Sequence, residues 1–433
     1  DGSSRLTKDI RWGTFPSVSV GWRLDKEKFF PISKKIVNMA KIRASYGVLG
    51  NENIGEYMYM ATMKRNNMTY SFGNNVVTGS AVSEFVNKNI AWEKKKSTNI
   101  GIDLAMFNNR FEFTAEWYKN RSEDLLYGVP PTQTGVANAT VTMNAASMDN
   151  SGFEFSATYR NHDHPFKYDV SANLSTLKNK VTSLGFGTKS YITGAYATYV
   201  GQEIGQFYGW VYEGLARTQS DLDNHATQQG ANLGDCLYKD ISGPNGEPDG
   251  VIDAYDQTVL GSGLPKVNFG LSAHMEYKNF DLSISTYGVL NYHVSDDIYN
   301  SLNSCYGWGN KDVAMADANR FSEDGSTYLS SVPRTYAANK ATLAWNDLFS
   351  SRKIQNAAYW KIANVELGYN FPDQWFRGLV SGVRVYVSAQ NLYTFTGYKG
   401  YNVDYAGGTF TPGYNFCSFP SARSFMAGLH FTF

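Results

Sequence analysis

Residues 99–118 read Asn99-Ile100-Gly101-Ile102-Asp103-Leu104-Ala105-Met106-Phe107-Asn108-Asn109-Arg110-Phe111-Glu112-Phe113-Thr114-Ala115-Glu116-Trp117-Tyr118. Ile100, Ile102, Leu104 and Met106 alternate with Asn99, Gly101, Asp103 and Ala105. Asn108-Asn109 supplies a tight turn. Phe111, Phe113, Ala115 and Trp117 then alternate with Glu112, Thr114, Glu116 and Tyr118. A period of two on both sides of a turn predicts an antiparallel hairpin with one apolar face and one acidic, hydroxylated face.

The pattern recurs in both directions. Val18 to Leu24 and Ile42 to Val48 precede it. Phe153 to Tyr159, Phe166 to Leu174, Val267 to Met275, Phe280 to Ile284, Val365 to Phe371, Val383 to Ala389 and Phe425 to Phe433 follow. That makes about eleven strands, each near the ~9–11 residues that cross a bilayer at a tilt. Short turns are expected near Asn108, Asp163, Lys278 and Pro372, with a medium one near Pro31. Long segments run over 50–93, 122–150, 179–265, 293–356 and 395–420. Long loops alternating with short turns are the signature of an outer-membrane barrel. A secreted sandwich with large insertions is the alternative.

The other strand face carries Arg43, Asp103, Glu112, Glu116, Glu154, Lys167, Asp169, His274, Glu276, Glu366 and Arg384. Charges at strand centres are costly toward lipid, so this face lines a wet or plugged lumen. The fold class read here is all-β: a transmembrane antiparallel β-barrel with long extracellular loops and short periplasmic turns. An open sheet of eleven strands leaves two unpaired edges. Residues 1–433 therefore read as the C-terminal half of a barrel of about 22 strands, with the plug and N-terminal strands upstream.

Composition narrows the rest. Lys and Arg number 39 and Asp and Glu 39, so no net positive charge grips nucleic acid. Three scattered cysteines support neither a disulfide framework nor a zinc site. No run of about 18 apolar residues predicts a spanning helix. No nucleophile elbow or phosphate loop is present, and His162-Asp163-His164 sits in a turn without partners, so an enzyme is not expected.

Several blocks carry a family resemblance. Arg11-Trp12-Gly13-Thr14-Phe15-Pro16-Ser17-Val18-Ser19-Val20-Gly21-Trp22, Lys41 to Asn51, Trp92-Glu93 leading to Asn99 to Asp103, Asn150 to Glu154, Tyr359 to Tyr369, Ala389-Gln390-Asn391-Leu392 with Thr396-Gly397-Tyr398, and Pro420 to Phe433 resemble the SusC-like branch of TonB-dependent outer-membrane transporters. The resemblance implies a multi-pass barrel in the outer membrane of a Gram-negative bacterium, surrounded by lipid. It also implies a plug, TonB-powered import, and a SusD-like surface lipoprotein that lids the barrel, with a dimer of such pairs open. Oligosaccharides are the expected ligand and oligopeptides the runner-up. A passive porin and a surface adhesin are the other-class alternatives.

Loop aromatics Tyr57, Tyr59, Trp92, Tyr306 and Trp308 are candidates for stacking on sugar rings, against the plainer reading that they pack the loops. The stretch Asn245-Gly246-Glu247-Pro248-Asp249-Gly250-Val251-Ile252-Asp253-Ala254-Tyr255-Asp256 has the oxygen spacing of a calcium loop. Asn245, Glu247, Asp249, Asp253 and Asp256 would bring side-chain oxygens to Ca2+, and Val251 its carbonyl. A short Asp at the last position and Pro248 inside the loop depart from the motif. A polar turn held by Asx hydrogen bonds is the even alternative.

Overall fold

A computed structural model describes residues 1–52, 55–56, 59–60, 63–82, 87, 89–129, 141–185, 187–305, 310–335, 345–376, 381–405 and 407–433. The chain divides into two compact units. The first comprises residues 1–160, 175–191 and 199–202; the second comprises 161–174, 192–198 and 203–433.

In the first unit, five strands pair antiparallel in chain order: β1 (Ser17–Arg23), β2 (Val37–Asn51), β3 (Glu93–Met106), β4 (Phe111–Val129) and β5 (Val141–Asn161). Their register turns alternation into rows. Val20, Ala44, Ile100, Trp117 and Phe153 lie opposite one another, and the neighbouring row is Gly21, Arg43, Gly101, Glu116 and Glu154. The Asn108-Asn109 turn forms as read. Phe107, Asn108 and Asn109 all take positive φ, a region asparagine tolerates better than most residues.

The second unit holds β6 (Phe166–Thr176, in this unit to residue 174), β7 (Val267–Tyr277), β8 (Phe280–Leu290), β9 (Tyr359–Phe371), β10 (Gly382–Thr396) and β11 (Ser424–Thr432). From β7 onward the apolar row Met275, Leu282, Leu367, Val387 and Ala427 runs beside His274, Ser283, Glu366, Ser388 and Met426.

Burial on these strands is the reverse of a soluble sheet. Ile100, flanked by strands on both sides, is 50% exposed, and Val387 is 53% exposed. On the opposite face Asp281 is 7% exposed and Lys361 4%. Apolar side chains pointing into open space in a row need an apolar solvent, which is lipid.

Aromatic residues mark both edges of that apolar band in the second unit. At the turn end, Phe280 meets Tyr369 at 4.8 Å between ring centroids, and Tyr369 meets Phe371 at 5.0 Å. At the loop end, Trp360 stacks on Phe395 at 5.3 Å. Eight ladder steps separate Trp360 from Tyr369. At ~3.3 Å per step and a ~40° tilt they span about 20 Å, close to the apolar height of such barrels. A bulge at Ala363 lets an even-numbered Trp360 share a face with an odd-numbered Tyr369.

Two expectations change. The segment 122–150 is not one long loop: β4 continues to Val129 and β5 begins at Val141, paired from Ser122↔Met148 to Val129↔Val141. Once clear of lipid, a ladder needs no apolar row, so alternation is a poor guide to strand ends. The remaining long segments carry structure of their own. They include an antiparallel hairpin of Met63–Phe72 with Asn75–Val82, and short strands Gln206–Gly209 and Thr258–Ser262 that pair with each other.

Candidate functional site

The polar face is a set of cross-strand ion pairs. Arg43 on β2 reaches over Gly101 on β3 to Glu116 on β4, with its Nε 3.3 Å from Asp103. A Cβ at Gly101 would lie 2.9 Å from the Arg43 guanidinium carbon. In the second unit, Arg384 on β10 donates through Nε to both oxygens of Asp281 at 3.0 and 3.1 Å. Its Nη2 is 2.8 Å from Glu366, and Asn370 donates to Asp281 at 3.0 Å. Any Cβ at Gly368 would collide with Arg384 and Asp281. Glycine at an inward position is thus the notch through which an arginine crosses a strand. The sequence reading found the charges and missed these glycines, although each sits among them at strand centre.

Above the wall, residues far apart in sequence build a loop body. Cys236, Tyr238, Ile252 and Trp345 form its core, with Trp210, Tyr212 and Leu348 packed around them. Asp235, 2% exposed, receives Arg334 through Nε at 2.5 Å and Nη2 at 2.8 Å, and Asn346 Nδ2 at 2.8 Å. Asn346 in turn accepts the Cys236 N–H at 2.6 Å. Burial pushes the thiols of Cys236 and Cys305 up to about 12, so both are packing residues rather than nucleophiles.

Two further clusters tie loops to strand ends. Lys361 Nζ meets Asp404 at 2.5 Å, and the hydroxyls of Tyr359 and Tyr287 donate to the same carboxylate at 3.0 and 3.1 Å. Asp296 accepts from the Tyr398 hydroxyl, from Asn415 Nδ2 at 3.0 Å and from the Tyr299 N–H at 2.8 Å. The arrangement is a charged, water-facing wall capped by folded loops. It can line a path and present a surface.

The model of the family described as "TonB dependent receptor-like, beta-barrel" matches residues 1–392. The chain belongs to that family. TonB-dependent receptor P3 of Formosa agariphila is 31% identical over the whole chain, which covers 43% of that protein. TonB-dependent receptor SusC of Bacteroides thetaiotaomicron is 29% identical, again over the whole chain and 41% of its own length. The structure of the RagAB peptide transporter superposes with a TM-score of 0.81 at 24% identity, covering all of this chain and 44% of that one. The chain thus spans less than half the length of the curated relatives it matches.

Within this TonB-dependent receptor barrel, two of the five aromatic candidates, Tyr59 and Trp92, are among the described residues. Tyr57, Tyr306 and Trp308 lie outside the described residues. Tyr59 is half-buried in a turn. Trp92 is 8% exposed in a small core with Leu6 and Ile90, edge-on to Phe15 at 5.2 Å. At that exposure, among Leu6, Ile90 and Phe15, it packs the loop.

The 245–256 segment is a turn knit to the backbone. Asp256, fully buried, accepts the N–H groups of Ile241 at 2.8 Å, Ser242 at 3.2 Å and Asp253 at 2.8 Å. Those bonds occupy the carboxylate that the calcium spacing assigned to an ion. Asp253 caps the Tyr255 N–H at 2.7 Å, and Asp249 accepts from the Val251 N–H at 3.1 Å. Asn245, Glu247 and Val251 are exposed. Among the described residues no group of three or more His, Cys, Asp or Glu is placed to hold a metal. Asp240, which the spacing left out, accepts the Gly250 N–H at 2.7 Å, and its other oxygen is buried without a hydrogen-bond partner.

Proposed function

We propose that this chain is part of the wall and extracellular loops of an energy-coupled outer-membrane importer for ligands too large for porins. The observation that carries the reading is the inverted wall, apolar outward and ion-paired inward, in a chain whose full length matches SusC. Oligosaccharides remain the first ligand class and oligopeptides the second. The second is favoured by the likeness to a transporter that carries peptide in its name. No chemistry on the ligand is part of the proposal. Upstream strands and a plug would complete the barrel, the TonB complex would supply energy, and a SusD-like lipoprotein would dock on the loop body. Two such pairs would form a dimer.

A deletion strain grown on a panel of defined glycans and oligopeptides should fail on one class. Deleting the energy-coupling protein should reproduce that failure. Uptake that persists without energy coupling would make the protein a porin. Calcium in the 245–256 turn is a separate, structural proposal, supported by the unpartnered oxygen of the neighbouring Asp240 beside Gly250. Chelation, or Asp249→Ala, should then speed proteolysis of this loop, and equal rates with and without calcium would reject it.

A further inference from the structure

We propose that a basic cluster in the first unit, where β3, β4 and β5 run on toward the loops, docks a phosphorylated lipid headgroup of the outer leaflet. Register places the residues. Ile100, Trp117 and Phe153 form one outward row, in which Ile100 and Phe153 are each 50% exposed. The next outward row toward the loops is Thr98, Lys119, Ser151 and Lys178, and the one after it is Lys96, Arg121, Asp149 and Lys180. Lys94 lies opposite Glu123 one row further. Pairing runs without a bulge from Ile100 to Lys94 and from Phe153 to Asp149, so the parity that turns Ile100 and Phe153 to lipid holds along these rows. Lys178 and Lys180 belong to a short strand, Lys178–Ser183, paired with β5. Both are exposed, while the alternate residues Asn179 and Val181 are buried.

Lys94, Lys96, Lys119, Arg121, Lys178 and Lys180 thus share one patch with only two acids, Glu123 and Asp149. It spans four strands, about 15 Å. Glu123 pairs with Lys96 at 2.5 Å and Arg121 at 3.0 Å, and Asp149 with Lys119 at 3.5 Å and Arg121 at 3.8 Å. Lys94, Lys178 and Lys180 make no ion pair among the described residues. Lys96 stands directly opposite Arg121, a like-charge pairing that costs stability unless an anion offsets it. At the loop ends of β8, β9 and β10 the outward positions are instead Leu290, Trp360 and Phe395, so the cations are a local feature and not a property of the whole wall. At ~3.3 Å per residue and a ~40° tilt, the two basic rows stand about 5 and 10 Å beyond the Trp117 row. Outward tryptophans mark the headgroup level, where long basic side chains extend from an apolar surface and donate charge-assisted hydrogen bonds to phosphate. A transported ligand passes on the other face, so lipid is the anion that this face meets.

The test is native mass spectrometry of the full-length protein in mild detergent, titrated with diphosphorylated lipid A and with its dephosphorylated form. Wild type is expected to retain lipid A and to bind the dephosphorylated lipid at least tenfold more weakly, the factor expected for about one charge-assisted contact. The K94Q/K178Q/K180Q variant removes the three cations that make no ion pair and leaves the cross-strand pairs in place. It should weaken lipid A binding by a similar factor or more. Ser151→Glu, which sets a carboxylate between Lys119 and Lys178, should do the same. K34Q/K35Q removes two exposed cations from the turn at the other end of the sheet and should leave binding unchanged. Heat-modifiable gel mobility should match wild type in all three. Equal retention by wild type and the first two variants, equal binding of the two lipids, or an equal loss in K34Q/K35Q would overturn the site. Displacement of lipid A by millimolar inorganic phosphate would assign the cluster to soluble anions and overturn the lipid source. None of these readouts involves import, so a failure here leaves the proposed transport standing.

Discussion

Replacing Arg334 with alanine is expected to unfold the loop body while leaving the barrel wall assembled. The substitution removes both charged hydrogen bonds from Asp235, a carboxylate with only 2% exposure. Breaking a buried pair from one side costs about 3–5 kcal/mol, because the remaining charge has no water to return to. Asn346 and the Asn232 N–H still reach Asp235 but carry no countercharge. Limited proteolysis of the protein in outer membranes should therefore cut within 203–262, 310–335 or 345–353 in the variant and not in wild type. Heat-modifiable gel mobility, which reports the barrel, should be unchanged. Adding Asp235→Asn should restore much of the resistance, since a neutral amide needs no ion partner. Equal protease resistance of wild type and the single variant would mean the pair bears no load.

The second large effect belongs to the wall. Leu367→Arg places a charge on the outward face near the middle of β9, where Leu367 is 45% exposed and lies opposite Leu282 and Val387. An arginine at the bilayer midplane costs about 2–4 kcal/mol in such barrels. The same residue at Ser388, 7% exposed on the inward row, lies opposite the Glu366 carboxylate and away from lipid. Folding into lipid vesicles, followed by denaturant titration, should show the loss for Leu367→Arg and little change for Ser388→Arg. Equal losses would contradict the assignment of faces.

The wall was legible because its physics is local. A strand between lipid and water must alternate, and Asn99 to Tyr118 shows that with no knowledge of the partner strands. The rows Val20–Ala44–Ile100–Trp117 and Gly21–Arg43–Gly101–Glu116 then follow from register alone. The bulge at Ala363 was hidden, because one inserted residue reads as a defect in the pattern rather than as a change of face. It is what turns Lys361 inward to Asp404.

The loop body was illegible for the opposite reason. Arg334 and Asp235 are 99 residues apart, and Tyr238 and Trp345 are 107 apart. No periodicity announces such contacts. The 245–256 stretch is open to two readings because a carboxylate that caps backbone N–H groups and one that binds calcium share the same spacing. Asp256 does the first with three N–H groups. Trp92 was open to two readings until Leu6, Ile90 and Phe15 were found around it.

The central claim is that one face of each strand meets lipid and the other meets water. Single cysteines placed in turn at positions 364–367, 369, 384–387 and 389, in a Cys417→Ser background that removes the exposed thiol, test it directly. The other thiols, Cys236 and Cys305, are buried. In intact outer membranes a small membrane-impermeant maleimide should label the positions of Asn364, Glu366, Arg384 and Tyr386. It should spare those of Val365, Leu367, Tyr369, Val385, Val387 and Ala389. Uniform labelling, or labelling in the opposite phase, would contradict the account.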